Sequence, residues 1–330
     1  MSNVALLVPL LLLITAQDAL TGVFGAPSIV ATIVASQAMS SRRAIALSTL
    51  AQLIGPLLFG VAVATTLGSD VVDPKVITPN ILYGALIATV LWMVLAWYLR
   101  IPSSSTHALV GGLIGAVSAA LGPSAIHTTG LLKILVALML TAPLGVIGGF
   151  LIARFCRLLT AGIRQIDRRF NQGQFVMALF LGLAVGSNNA QNAMGVTVLG
   201  LMSTGFLSKF EIPVWVIIAS GVGLAVGNLV GGMRLTHSVG TQFCDVQPLH
   251  GFSAEMSSAV IIAASSLVGG DVSTSHVTSM SIVGAGVAES RASVQWRFVK
   301  RVLLTWVLTI PVTATIACLV CLALTRLGIP

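Results

Sequence analysis

Charged residues are scarce in this sequence: they make up only 8% of its 330 residues, whereas hydrophobic residues make up 56%. A soluble domain carries roughly 25% charged residues, so this chain has too few to cover a surface that faces water. Three of its apolar segments, 81–99, 131–152 and 302–324, have about the 20 residues that a helix needs to cross a bilayer. The composition excludes an ordinary soluble protein and predicts an all-α polytopic protein of the plasma membrane.

Acidic residues are the rarer charged class, with 9 Asp and Glu against 17 Lys and Arg, which gives a net charge of +8. The basic residues lie in short connections, above all in 154–174, which contains five arginines. Basic connections are typical of the cytoplasmic side of membrane proteins. We therefore expect these basic residues to contact the lipid bilayer and not a nucleic acid. We also expect a basic cytoplasmic linker at 154–174 between two transmembrane repeats, 1–153 and 175–330.

Cysteine is rare as well, with 4 residues in the chain. Cys318 and Cys321 lie three apart in an apolar segment, with no second pair and no histidine near them. Because metal and redox sites need such partners, the sequence predicts no metal centre and no cofactor.

Hydroxyl residues, in contrast, are clustered twice, in 103–116 (SSSTHALVGGLIGA) and 272–286 (VSTSHVTSMSIVGAG). The histidines that end the two clusters, His107 and His276, are 276 − 107 = 169 residues apart. The residues that correspond in the two clusters are Ser104, Ser105 and Thr106 in the first and Ser273, Thr274 and Ser275 in the second. Internal duplication in a membrane protein is typical of secondary transporters built from two repeats.

These clusters have the chemistry of an anion site. Hydroxyl groups and the free N–H groups at a helix start donate hydrogen bonds without carrying charge, and the helix dipole adds a favourable potential. We expect the six hydroxyls to hold one tetrahedral oxyanion from opposite sides. The alternative is that they only join helices, as Ser, Thr and Gly often do in membranes. Duplication favours the binding site. An enzyme with a single catalytic nucleophile would not be expected to duplicate the cluster. The sequence also contains no G-x-S-x-G elbow, so we expect a transporter rather than an enzyme.

Two polar interruptions precede the clusters, at 15–28 and 186–195. The first contains glycine and proline, and the second is GSNNAQNAMG. Gly and Pro at membrane depth predict broken helices that line a cavity, and the short apolar segment 108–121 predicts a re-entrant hairpin. Buried amides are expensive unless they bind something. We expect Asn188, Asn189 and Asn192 to bind the substrate or a cation, the alternative being a polar network that only pins the helix.

Carboxyl groups within membrane segments are candidates for ion coupling. In order of preference, these are Glu255, Asp18 and Asp271, each as a proton carrier. Asp271 is equally suited to capping the helix that follows it. We expect His107 and His276 to be scaffold residues, with a proton-relay role left open.

At these residues the chain resembles the inorganic phosphate transporter (PiT) family. Residues 102–107 fit that family's P-x-S-(S/T)-(S/T)-H motif, and residues 271–276 fit it except that Asp271 stands at the proline position. Residues 22–28 and 186–192 correspond to its G-x-N-D-x-x-N motif. The resemblance implies inverted repeats with broken helices and re-entrant hairpins, and cation-coupled uptake of a tetrahedral oxyanion. It also makes Gly25 and Ser28 substrate-site positions.

The chain departs from the family in both copies of the G-x-N-D-x-x-N motif. Gly25 and Asn189 stand at its acidic position, and Phe24 replaces its asparagine in the first copy. Phosphate keeps a P–OH donor that needs an acceptor, and the absence of a needed partner discriminates strongly between ligands. The missing carboxylates therefore favour sulfate, as in the family's sulfate-permease branch, with proton rather than sodium coupling. We expect a sulfate symporter with alternating access around a midplane site. The alternatives are a phosphate symporter coupled to protons or sodium, and a non-transporting anion sensor. Thiosulfate as substrate and a homodimer are left open.

Overall fold

The computed structural model describes residues 2–163 and 165–329, and of residues 237–241 only the backbone. This part of the chain forms eleven α-helices, with a few short 3₁₀ and π turns between them. The helices are α1 (Asn3–Ala35), α2 (Ser41–Ile54), α3 (Ala62–Thr65), α4 (Pro79–Tyr98), α5 (Ser105–Leu121), α6 (Thr128–Thr160), α7 (Ile166–Ser203), α8 (Val214–Gln242), α9 (Pro248–Leu267), α10 (Thr274–Glu289) and α11 (Trp296–Arg326). Five of them, α1, α4, α6, α8 and α11, are long and apolar enough to cross a membrane. The all-α polytopic membrane fold is confirmed.

The helices follow one order twice: α1, α4, α5 and α6 correspond to α7, α9, α10 and α11. The short helices α5 and α10 also begin in the same way. The Ser104 hydroxyl accepts from the backbone N–H of His107 at 3.2 Å, and the Ser273 hydroxyl accepts from that of His276 at 3.4 Å. Because an N-cap serine satisfies one of the free N–H groups of a helix start, the repeated hydroxyl cluster folds into the same local structure twice.

The corresponding helices α1 and α7 run in opposite directions. The end of α1 lies beside the start of α7, where the Ser36 hydroxyl donates to Gln174 Oε1 at 2.9 Å. The start of α1 lies beside the end of α7, where Leu7 and Leu201 share an apolar cluster. The helices α5 and α10 begin next to each other and point apart. This arrangement is that of two inverted repeats.

The two halves of the chain interlock. Helix α6 packs against α9 and α10, and α11 packs against α4 and α5. The most extensive contact joins α1 to α8. There α8 presents Gly223, Gly227 and Gly231, spaced four residues apart, to side chains and backbone of α1. Small residues at this spacing let helix backbones approach closely in lipid. Each half of the sequence therefore completes the helix packing of the other.

The predicted helix breaks at 15–28 and 186–195 are wrong. Helix α1 continues through Pro27 and α7 continues through the asparagine segment. In α7 the amides bond to neighbouring helices rather than to their own backbone, as when Asn192 donates to Thr106, so the helical hydrogen bonds persist. The break lies elsewhere: residues 41–57 and 62–70 form a pair bent by 68°.

The connections are shorter than the sequence predicts. Helix α6 extends to Thr160 and α7 begins at Ile166, so most of the predicted linker 154–174 belongs to helix ends. Likewise α8 extends to Gln242, past the polar residues Arg234 and Thr236. Polar residues mark where the apolar pattern stops, but a helix can continue beyond that point on its backbone hydrogen bonds.

Candidate functional site

The starts of α5 and α10 meet inside the protein. The rings of His107 and His276, in the first turns of these helices, lie 4.4 Å apart between centroids. The N–H groups in the first turn of a helix have no partner within it, and the dipole makes this end positive. Two such ends that converge at a buried point form a site for an anion. The predicted convergence of the two hydroxyl clusters is therefore present in the fold.

Helix α7 joins the two clusters. The side-chain amide of Asn192 donates to the Thr106 hydroxyl at 3.1 Å. The Thr274 hydroxyl donates to Asn189 Oδ1 at 3.2 Å. All four side chains are buried. One turn of α7 thus contacts the first cluster through one asparagine and the second cluster through another, and we call the surroundings of these four residues the central site.

Asn188 supports the central site rather than facing it. Its amide donates to the backbone carbonyl of Val272 at 3.0 Å, and its carbonyl accepts from the Ser266 hydroxyl at 3.2 Å. Both functional groups of this side chain therefore hold the connection between α9 and α10 in place.

Asp271 lies at the edge of the central site. Its side chain is 1% exposed, and within the described chain neither carboxyl oxygen has a hydrogen-bond partner. The side chain of Asn192 lies close to this carboxyl group, and Asn192 Oδ1 likewise has no partner there. Because Ser273 caps α10, Asp271 does not act as the N-cap. A buried carboxyl group without partners is costly, so this one is suited to a ligand.

The remaining cluster hydroxyls lie in the first turns of the same helices. Ser275 is buried and Ser105 is half-buried. Ser104 and Ser273 serve as the N-caps of α5 and α10. An N-cap hydroxyl that accepts an N–H still has its own proton to donate.

Gly25 faces the central site, but another residue fills the space of its missing side chain. A β-carbon at position 25 would lie 2.8 Å from Gln52 Oε1 and 3.2 Å from Asn189 Nδ2. Gln52 is held by its amide, which donates to Asn228 Oδ1 at 2.7 Å. Sequence reasoning missed Gln52, although an amide in the apolar segment 44–66 is a signal. Ser28 instead donates to the Phe24 carbonyl of its own helix at 3.4 Å.

The three candidate coupling carboxyls do not come together. Only Asp271 lies at the central site. Glu255 Oε1 accepts from the Thr32 hydroxyl at 2.6 Å. Asp18 lies 14 residues before Thr32 on α1, which is roughly 20 Å along a helix. Asp18 and Glu255 therefore lie toward opposite faces of the membrane.

Aromatic stacking fixes the start of α10. Trp306 of α11 stacks on His276 with 3.5 Å between ring centroids, and its indole N–H donates to the Pro102 carbonyl at 3.1 Å. His107 Nδ1 lies 2.8 Å from the Ser104 hydroxyl. These contacts tie both clusters to the same helix. No sequence pattern singles out Trp306, because it lies in an uninterrupted apolar segment.

Comparison with known proteins agrees with this geometry. The model of the family described as the phosphate transporter family matches residues 21–165 and 162–317. The chain belongs to this family. It is 35% identical over 319 residues to a probable low-affinity inorganic phosphate transporter of Rhizobium meliloti (strain 1021), covering 95% of each chain. It is 32% identical over 321 residues to a protein of the same description from Bacillus subtilis (strain 168), covering 95% of this chain and 96% of the relative.

A solved structure has the same fold. The protein described as the sodium-dependent phosphate transporter matches with a TM-score of 0.88 at 21% identity, covering 98% of this chain and 99% of the other. The family, its named transporters and the apolar helices make this phosphate transporter family member a multi-pass plasma membrane protein. The resemblance to phosphate transporters is confirmed. A closer relation to a sulfate-permease branch has no support among these relatives, which are named for phosphate.

Proposed function

We propose that this protein is a secondary transporter of inorganic phosphate, which it binds at the central site between α5, α7 and α10. The sequence analysis favours sulfate, and the proposal replaces it with phosphate. The relatives that are more than 30% identical along nearly their whole length are described as probable inorganic phosphate transporters.

The position of the Asp271 carboxyl group is the observation that supports phosphate over sulfate. The preference for sulfate rests on a site without carboxyl groups, because Gly25 and Asn189 occupy the acidic motif positions. Yet a buried carboxyl group without hydrogen-bond partners among the described residues lies beside Asn192. A carboxylate accepts the P–OH proton of phosphate, whereas sulfate has only acceptor oxygens and is repelled. This pairing is the kind that discriminates strongly between otherwise similar ligands.

In this proposal the other oxygens of phosphate accept hydrogen bonds. The donors are the hydroxyls and the free N–H groups at the starts of α5 and α10, together with the amides of α7. The proposed ligands are Ser104, Ser105, Thr106, Ser273, Thr274, Ser275, Asn189 and Asn192. On binding, the Thr274 hydroxyl exchanges its bond to Asn189 Oδ1 for one to phosphate, because a hydroxyl has a single proton to donate. Because these donors are neutral, the site attracts an anion without a permanent positive charge that would hold it too tightly for release.

Alternating access follows from the inverted repeats. Two repeats of opposite orientation can exchange conformations, so that the same site opens first to one face and then to the other. In this proposal the interlocked packing of α6 and α11 couples the two halves, so that they move together. A coupling cation would then drive accumulation.

The test is uptake of ³²P-phosphate into liposomes that contain the purified protein, with unlabelled sulfate, thiosulfate or phosphate as competitor. We expect saturable uptake that phosphate inhibits and that an excess of sulfate or thiosulfate leaves largely intact. We also expect phosphate to accumulate above its external concentration when a cation gradient is applied. Inhibition by sulfate as strong as by phosphate would overturn the choice of substrate. Phosphate binding without uptake would identify an anion sensor instead.

A further inference from the structure

A cavity of about 150 Å³ lies between α1, α7 and α8, away from the central site. The polar residues that line it are Thr15 and Asp18 of α1, Thr197 of α7 and Ser220 of α8. Trp215, in the first turn of α8, lines its outer part and is 51% exposed. Because tryptophan is enriched at the membrane–water interface, the cavity leads from that interface toward Asp18.

Asp18 is buried at the inner end of this cavity. Its side chain is 3% exposed, and Oδ1 has no hydrogen-bond partner in the described part of the chain. The other carboxyl oxygen packs against α8 at Gly223, where a β-carbon would lie 2.6 Å from Oδ2. The carboxyl group therefore packs closely against α8, with Oδ1 available to a ligand. Ionisable groups in this situation within a membrane are rare and usually functional.

Two of the hydroxyl groups that line this cavity, those of Thr15 and Thr197, are arranged as acceptors. Thr15 donates its proton to the Leu11 carbonyl at 2.8 Å, and Thr197 donates its proton to the Ala193 carbonyl at 2.7 Å. Each hydroxyl oxygen therefore keeps only lone pairs for the cavity. The central site differs, because the free N–H groups of two helix starts face it.

We propose that this cavity binds a sodium ion, with the carboxylate of Asp18 and the hydroxyl oxygens of Thr15, Thr197 and Ser220 as its ligands. Hard cations prefer oxygen ligands, and one carboxylate balances a single positive charge. A proton would need only the carboxylate, so the ring of lone pairs favours a metal cation. The volume admits the ion with a few water molecules, each of which takes about 30 Å³.

The position of this sodium site suits ion coupling. Thr197 follows Asn192 by five residues on α7, which is about 7.5 Å along the helix axis. Bound sodium would hold α1 and α8 against the helix that carries the asparagines of the central site. The entrance near Trp215 lies on the face opposite the basic ends of α6 and α7, which the charge pattern predicts to be cytoplasmic. The proposal that sodium binds in this cavity does not depend on the proposed function. Coupling of sodium binding to phosphate transport does depend on it.

The experiment is equilibrium binding of ²²Na⁺ to the purified full-length protein in detergent, without phosphate and with choline chloride at constant ionic strength. We expect saturable binding by the wild type and at least tenfold weaker binding by Asp18→Asn. The matched control is Asp73→Asn, which makes the same change at an exposed carboxyl group in the connection before α4; this variant should bind sodium as the wild type does. Thr197→Val, which removes a proposed ligand at nearly constant volume, should also weaken binding. Gel filtration and a thermal melt check that each variant is folded.

Sodium binding by Asp18→Asn at wild-type affinity, or no saturable binding by the wild type, would overturn the proposal. Phosphate exchange by the wild type in liposomes is measured separately. Failure of that exchange would overturn the proposed function and leave the ²²Na⁺ result unaffected, so the two conclusions fail independently.

Discussion

Replacement of Asp271 by asparagine tests the physical basis of substrate choice. The change keeps the shape of the side chain and removes its charge. It turns a pair of acceptor oxygens into one acceptor and one donor. Among the described residues the side chain of Asn192 lies close to this carboxyl group, and neither carboxyl oxygen is in a fully formed hydrogen bond, so the substitution should disturb the protein little. Its effect should therefore fall on the bound anion.

The expected magnitude follows from hydrogen-bond energies. A hydrogen bond to a charged group contributes about 1.5–3 kcal/mol, and one between neutral groups about 0.5–1.5 kcal/mol. Exchange of the first for the second weakens phosphate binding by about 1.4 kcal/mol, or tenfold. Sulfate loses a repulsive charge and gains a donor, so its binding should strengthen by a similar factor. The preference for phosphate over sulfate should fall roughly a hundredfold by this reasoning.

The assay is inhibition of ³²P-phosphate uptake in liposomes by graded sulfate, with the ratio of the two half-inhibitory concentrations as the readout. Asp245→Asn is the control, because it makes the same change at an exposed residue between α8 and α9. An Asp271→Asn variant whose phosphate-to-sulfate ratio equals that of the wild type would refute the reasoning. Asp271 would then not contact the substrate, and the argument for phosphate would lose its physical support.

Three further variants test coupling, packing and the motif departure. Glu255→Gln should abolish cation-driven accumulation in liposomes while phosphate exchange continues, and unaltered accumulation would remove this residue from coupling. Gly227→Ala places a methyl group on the α1 backbone and should cost about 1–3 kcal/mol, seen as a lower melting temperature in detergent. The control Gly200→Ala has its nearest neighbour at 3.7 Å and should melt no lower than the wild type. Gly25→Asp should slow phosphate uptake severalfold because it displaces Gln52, and Gly25→Asp with Gln52→Ala should recover part of the rate. Normal phosphate uptake by Gly25→Asp alone would mean that the Gln52 side chain moves away from position 25 at little cost.

The sequence alone predicted the class of the fold and the parts of the central site. Scarcity of charge requires a membrane environment, and this conclusion needs no contacts. The duplicated hydroxyl clusters predicted two helix starts that face each other, because the same residues at the same spacing fold in the same way. The separation of the His107 and His276 rings, 4.4 Å, agrees with that expectation.

The sequence misjudged the course of the helices. Proline and asparagine predicted breaks at 15–28 and 186–195, because these residues disfavour helix in isolation. In the fold, neighbouring helices supply partners for the asparagine side chains, and the backbone bonds of α7 remain intact. The bend at residues 55–61 coincides with Gly55–Pro56 and with Gly60, whose φ is 76°, and these residues are typical of a break. Its position in the fold is set by the packing of Gly55 against the α7 backbone.

Composition and spacing by themselves determined that this protein lies in a membrane and that its hydroxyl cluster is duplicated, and they predicted an anion site formed by hydroxyls and amides. Only the tertiary structure decided which carboxyl group lies beside Asn192, what fills the space beside Gly25, and which hydroxyl residues line a cavity together with Asp18. The physical reason is distance along the chain. Helical periodicity and capping act within a few residues and can be read locally. Asp271 and Asn192, or Asp18 and Ser220, become neighbours only when helices far apart in sequence pack together.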